Sequence, residues 1–295
     1  MDIQSGVNGN LVSAYDALYV AGSALLILLV VASDIRHKNV FRRAKVDYND
    51  VRRPSMWFIA VLSWITLGIS FCLLLGNQIG QLPPHAICLT QAILIYSSPT
   101  FCAFSAVAFL LQVHLSMSRP RYCSLSTLHQ LTLYVIAFLV PLGIFLEALV
   151  LGLVHPSWVQ RDPTGMYCNF SLEKQKKITG GFILCGLIAV LVLEVMISLS
   201  YLRAAQASQK ASQALVHALE IKIEDYRRQS ISGRVLARIL GFTLCVLIAM
   251  SCSLIQYLPY NAGINFGTVN IVQATLPCCA ALIFGTQKDI WKVWS

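Results

Sequence analysis

The chain has 295 residues, of which 57% are hydrophobic and 12% charged, and 22 Lys and Arg against 13 Asp and Glu give a formal charge of +9. The charged share is about half that of an ordinary globular domain, and mean hydropathy is +0.67, so too little polar surface exists to coat a soluble fold. Composition therefore excludes a disordered chain, a fibrous protein and a cytosolic enzyme. It leaves a polytopic membrane protein with room for roughly seven to ten helices of about 20 residues.

Seven apolar segments follow in chain order, at about 11–33, 54–76, 86–117, 128–154, 178–202, 235–258 and 267–284. The residues before the first hold no basic stretch, and the run lacks a small-residue cleavage site, so it is expected to stay as a span. The second opens on Pro54, which suits a first helical turn where the missing N–H has no partner to lose. The fourth contains Pro141, an expected kink. Each segment is apolar all round, as a helix buried in lipid and neighbours should be, and the alternating ten-residue runs of a membrane β-barrel do not occur. The expected fold is all-α: one seven-transmembrane helix bundle over residues 1–295, ending in a short amphipathic helix at 286–295.

Basic residues concentrate in alternate connections. Arg36, Lys38, Arg42, Arg43, Lys45, Arg52 and Arg53 follow the first span, and Arg119 and Arg121 the third. Lys210, Lys222, Arg227, Arg228 and Arg234 follow the fifth, and Lys288 and Lys292 the seventh. The opposite side holds Arg161, Lys174, Lys176 and Lys177 in one loop. This asymmetry puts the N-terminus outside and the C-terminus in the cytoplasm. It also accounts for the net positive charge without nucleic acid, since no basic stripe carries interleaved aromatics.

Most of the ten cysteines lie in apolar runs, where a free thiol is a small hydrophobe. Cys88 and Cys168 alone fall at the outer side, and an oxidising compartment favours their bridging. Asn169-Phe170-Ser171 in the same loop is an N-glycosylation acceptor, with Asn169 as the expected glycan site.

Seven spans, an outer N-terminus and that cysteine pair together resemble a G-protein-coupled receptor. Pro277 in the seventh span and the run Phe284-Gly285-Thr286-Gln287-Lys288-Asp289-Ile290-Trp291 are similar to fungal seven-helix receptors of the cAMP-receptor-like and nutrient-sensing types. In such receptors a basic, Trp-bearing helix lies along the inner leaflet, and Ile290, Trp291 and Trp294 share one face here. The resemblance implies a plasma-membrane receptor that carries an extracellular small-ligand signal to a heterotrimeric G protein through its inner loops. The chain departs from the rhodopsin-like pattern. Gln112-Val113-His114 stands where Asp-Arg-Tyr is expected, and Leu276-Pro277-Cys278-Cys279 replaces Asn-Pro-x-x-Tyr.

Ionisable groups at membrane depth are costly and are functional candidates. Glu147 falls in the outer half of the fourth span and Glu194 in the inner half of the fifth. A contact of Glu194 with His114 or Arg119, at the inner end of the third span, would make a conformational latch; a locally hydrogen-bonded Glu is the alternative. Towards the outer side, Gln91 and Tyr96, then Gln256, Tyr257 and Tyr260, then Asn270 and Gln273 occur at similar depths on three spans. They are expected either to line a ligand cavity, with Gln91, Tyr96, Tyr257, Asn270 and Gln273 as contacts, or to hold the bundle together by interhelical hydrogen bonds.

The segment from about 203 to 234 is rich in helix formers and should extend spans five and six beyond the membrane. Ser230, after Arg227-Arg228-Gln229, is a candidate phosphorylation site. No two histidines stand at i, i+4 spacing and no lysine lies inside the seventh span, so neither metal nor retinal nor another cofactor is expected. A small-solute transporter, which would show paired halves or broken helices, and a non-signalling membrane scaffold remain as alternatives.

Overall fold

The computed structural model describes residues 9–43, 55–78, 83–117, 126–219, 233–255 and 266–285. These form seven α-helices and one β-hairpin: α1 (Gly9–Arg43), α2 (Ser55–Cys72), α3 (His85–Met117), α4 (Thr127–Val154), β1 (Val159–Arg161), β2 (Cys168–Phe170), α5 (Glu173–Leu219), α6 (Gly233–Ile255) and α7 (Phe266–Gly285). Six helices carry a stretch long and apolar enough to cross a membrane, and the apolar part of α6, Gly241–Ile255, is shorter. The chain is a helical, multi-pass membrane protein. The hairpin is the one departure from the all-α expectation among the described residues.

Side-chain placement is inverted relative to a water-soluble protein. Leu128, Leu139 and Leu153 of α4 are 71%, 65% and 64% exposed, and similar apolar residues face outward along α1, α2 and α5. Water would not tolerate such continuous patches, and lipid does. Polar groups face inward instead. Ser63 of α2 and Ser105 of α3 share a hydrogen bond of 2.8 Å, and Ser70, Ser97 and Thr100 satisfy their hydroxyls on carbonyls of the preceding turn.

The third helix is the hub, touching α2, α4, α5 and both strands. The first packs on α2 and α7, and α6 lies between α5 and α7. The result is a ring of α1, α2, α3, α5, α6 and α7, with α4 on the outside of α3. Small residues allow the closest approaches, as is usual where no hydrophobic force drives helices together in lipid. A Cβ on Gly22 of α1 would stand 2.7 Å from Cβ of Pro277, and one on Gly186 of α5 would stand 2.9 Å from Cβ of Ala103.

Three prolines, Pro99, Pro141 and Pro277, lie inside helices that continue through them. Ser126 caps α4, its Oγ accepting from the His129 N–H. The fifth helix runs sixteen residues past Arg203, the end of its apolar stretch, or about 24 Å, as the helix-forming composition of that segment predicts. The expected amphipathic helix at 286–295 lies outside the described residues.

Candidate functional site

The hairpin covers one end of the helix ring. Strands β1 and β2 pair antiparallel, Val159 opposite Phe170 and Arg161 opposite Cys168. Asp162 opens the turn between them: the Gly165 N–H donates to its carbonyl at 2.8 Å, and Gly165 takes a φ of 77°, a conformation that favours glycine. The Asp162 carboxylate is 8% exposed and fully engaged, accepting from the Thr164 N–H, the Thr164 hydroxyl and Asn169 Nδ2. The turn then drives Met166, 1% exposed, down among Val12, Tyr15, Tyr19, Leu67 and Phe71.

Besides a long hydrogen bond from the Tyr96 hydroxyl to the Phe170 carbonyl, at 3.5 Å, two tethers hold β2 to α3. One is the Cys88–Cys168 disulfide, expected from compartment and formed here, with Cα atoms 5.3 Å apart. The other is Gln91, three residues on and therefore on the same helix face. Its Oε1 accepts from the Cys168 N–H at 2.9 Å, and its Nε2 donates to the carbonyls of Ser70 and Phe71. Gln91 is fully buried and does not line the cavity. The expectation of ligand contact at Gln91 is thus corrected: every polar atom of the amide is consumed in joining α2, α3 and β2. Further ties run from Arg161 to the Asn77 carbonyl and from Gln78 to Asp16 and the Met166 carbonyl.

Asn169 also departs from expectation. It is 6% exposed, and Nδ2, the atom that would carry a glycan, donates to Asp162 at 2.7 Å. A glycan needs that atom in solvent, and the hairpin as folded buries it. We expect endoglycosidase to leave the electrophoretic mobility unchanged. Asn169→Ala should destabilise the protein by about 1–3 kcal/mol, because a buried carboxylate oxygen loses its donor. A mobility shift on deglycosylation would contradict the buried placement.

Beneath the hairpin lies a cavity of about 370 Å³ bounded by α2, α3, the hairpin, α5, α6 and α7. Of the residues expected to contact ligand, it brings together Tyr96, Asn270 and Gln273. Tyr96 leans on Phe170, with ring centroids 5.4 Å apart, and Asn270 Nδ2 points at Met166 Sδ at 3.6 Å. Tyr257, with Gln256 and Tyr260, lies outside the described residues. The sequence reading missed Asp162, Tyr167, Lys176 and Thr179, all of which line this space. Burial first, and then the Asp162 carboxylate, push the Tyr167 phenol well above its ordinary value, with the Asn270 amide pulling the other way. The phenol therefore stays protonated at any physiological pH.

Below the cavity, Glu194 of α5 is 7% exposed. Its Oε1 accepts from the Thr243 hydroxyl of α6 at 2.6 Å, and Oε2 is buried with no partner among the described residues. The hydrogen bond described for Glu194 thus goes to α6, and no contact with the third span is described for it. His114 is half-buried near the end of α3, whereas Arg119 and Ser230 lie outside the described residues. Glu147 is half-buried on α4, away from the cavity lining. Among the described residues no group of His, Cys, Asp and Glu is arranged to hold a metal. No protein-family model matches the chain, and no curated protein matches it either.

Proposed function

We propose that the chain is a seven-span receptor of the plasma membrane, similar to G-protein-coupled receptors, which passes an extracellular small-ligand signal to a heterotrimeric G protein. One observation carries the reading. A cavity capped by a disulfide-tethered hairpin reaches through the bundle to Val190, one turn from the point where Glu194 ties α5 to α6. A ligand that prefers one spacing of α5 and α6 would shift the balance between two states, and only such a preference can drive a response.

The count of seven spans includes α6, whose 23 residues extend about 34 Å, enough to cross a hydrocarbon core of about 30 Å. The hairpin end faces outside on two grounds. A disulfide belongs to an oxidising compartment, and the connections at the opposite end hold most of the Lys and Arg. The long extension of α5 gives a G-protein helix a surface to dock on.

The test is nucleotide exchange on purified heterotrimers, with the protein reconstituted in lipid and shown to be folded and disulfide-bonded. Exchange above that of empty liposomes supports the receptor. A panel of G proteins giving none, with and without candidate ligands, would move the reading to a small-solute transporter or a scaffold.

A further inference from the structure

We infer that the cavity takes a single-chain anionic amphiphile, its head at Lys176 and its tail between α3, α5 and α6. The inference rests on the reading of this cavity as the ligand site, and it does not depend on G-protein coupling. The wall that carries it is one stripe of α5. Lys176, Thr179, Ile183, Leu187 and Val190 all line the cavity, and their spacing of three and four places them on one helix face. From Lys176 to Val190 the stripe rises about 21 Å along the helix.

Its chemistry changes in one direction. At the hairpin end, Lys176 is half-buried and has no ion pair among the described residues. One turn deeper, Thr179 is 4% exposed, and its hydroxyl has no hydrogen-bond partner among the described residues. Below that the stripe is wholly aliphatic. The facing walls grade in the same sense, from Tyr96, Ser253 and Asn270 near the hairpin to Ala106, Phe242 and Leu276 below.

A small polar solute would satisfy the upper half and leave the lower half without contacts. A neutral hydrocarbon would bury a cation and a lone hydroxyl unpaired, which is costly. A molecule with a polar head and one long tail fits both halves. The head is anionic because the local acids are already committed. Asp162 accepts three hydrogen bonds from Asn169 and Thr164, and Glu173, which lines the same end of the cavity as Lys177, is exposed and pairs with that lysine at 3.4 Å, leaving Lys176 as the cation in excess. The volume, about 370 Å³, is at the small end for ligand sites and suits one chain rather than the two of a bilayer phospholipid.

The experiment uses the full chain in lipid nanodiscs and a long-chain fatty acid bearing a diazirine at the tail end. After photolysis, labelled residues are mapped by mass spectrometry. Saturable labelling is expected on α3, α5 and α6 residues at the bottom of the cavity. Oleate or oleoyl lysophosphatidate should compete, the stronger of the two naming the head as carboxylate or phosphate. Oleyl alcohol should compete at least tenfold more weakly, and hexanoate not at all. Lys176→Gln should weaken the acid about tenfold and leave oleyl alcohol unchanged, a contrast that misfolding cannot produce.

Labelling confined to lipid-facing residues such as Leu139 and Ile188, or equal competition by acid and alcohol, would overturn the inference. Nucleotide exchange on the same sample separates the two readings. Cavity labelling without any exchange removes the receptor and keeps the amphiphile site. Exchange driven by a small polar solute, without cavity labelling, does the reverse.

Discussion

Cys168→Ser is expected to lower the thermal midpoint of the purified protein by about 3–5 °C, with Cys88→Ser and the double variant giving the same value. The bridge joins positions 80 residues apart, which the chain-entropy account values at roughly 4 kcal/mol for a free chain. Here α3 and α4 lie inside that loop and are held by lipid even when the hairpin is undocked. The loss should therefore fall near the low end of the usual range, about 2–3 kcal/mol. For a chain of this size that corresponds to the shift stated. Gln91→Ala should destabilise by a comparable amount, about 1–3 kcal/mol, because it strands the buried Cys168 N–H and frees two carbonyls of α2. A reductant that leaves the wild-type midpoint unmoved would show that the bridge does not tether the hairpin in solution. Single and double cysteine variants that differ from one another would show that each thiol has some other partner.

On the receptor function proposed above, Thr243→Val should raise ligand-free nucleotide exchange roughly fivefold. Valine keeps the shape of threonine and removes the hydroxyl that Glu194 accepts from. Interhelical hydrogen bonds in membranes average about 0.6 kcal/mol and reach about 1.7. A short bond to a carboxylate belongs in the upper part of that range, and about 1 kcal/mol corresponds to the fivefold change in a two-state balance. Glu194→Ala should act in the same direction, and the double variant should add little, because both remove one contact. A Thr243→Val protein that melts earlier but exchanges at the wild-type rate would assign the contact to holding the fold, with the switch elsewhere.

The two expectations differ in how far the sequence reveals them. Membrane insertion is a sum over one segment's own residues, so hydropathy locates the helices. The apolar runs near 86–117 and 128–154 match α3 and α4 within one residue at most boundaries. The cysteine pair was legible for a similar reason, since sidedness and compartment leave Cys88 and Cys168 as the outer candidates. The loop holding Arg161 and Asn169 was not. Its strands are three residues each, too short for an alternating pattern to stand out.

The polar residues show where local reasoning ends. Gln91 and Tyr96 occupy the same helix at similar depth, and both carry groups suited to a ligand. Five residues of helix turn them about 140° apart, so Gln91 joins β2 to α2 away from the cavity, while Tyr96 meets Phe170 of β2 and also lines the cavity. The stripe from Lys176 to Val190 has a spacing visible in the chain, but only the position of α3 and α6 opposite it makes that stripe a cavity wall. Glu194 reads as a costly buried acid from its surroundings in sequence, and nothing in that run of residues names Thr243, 49 positions away, as its donor.

Taken alone, the sequence determined that this protein lives in a membrane, where its main helices run, which end carries the basic residues and which two cysteines can bridge. Each of these depends on transfer free energies and charge counts that add up along the chain. The tertiary structure decided which polar groups pair across helices, why Asn169 is buried, and where the bundle leaves space. Those outcomes depend on the rotation and depth of each helix against its neighbours, and packing between surfaces distant in sequence sets both.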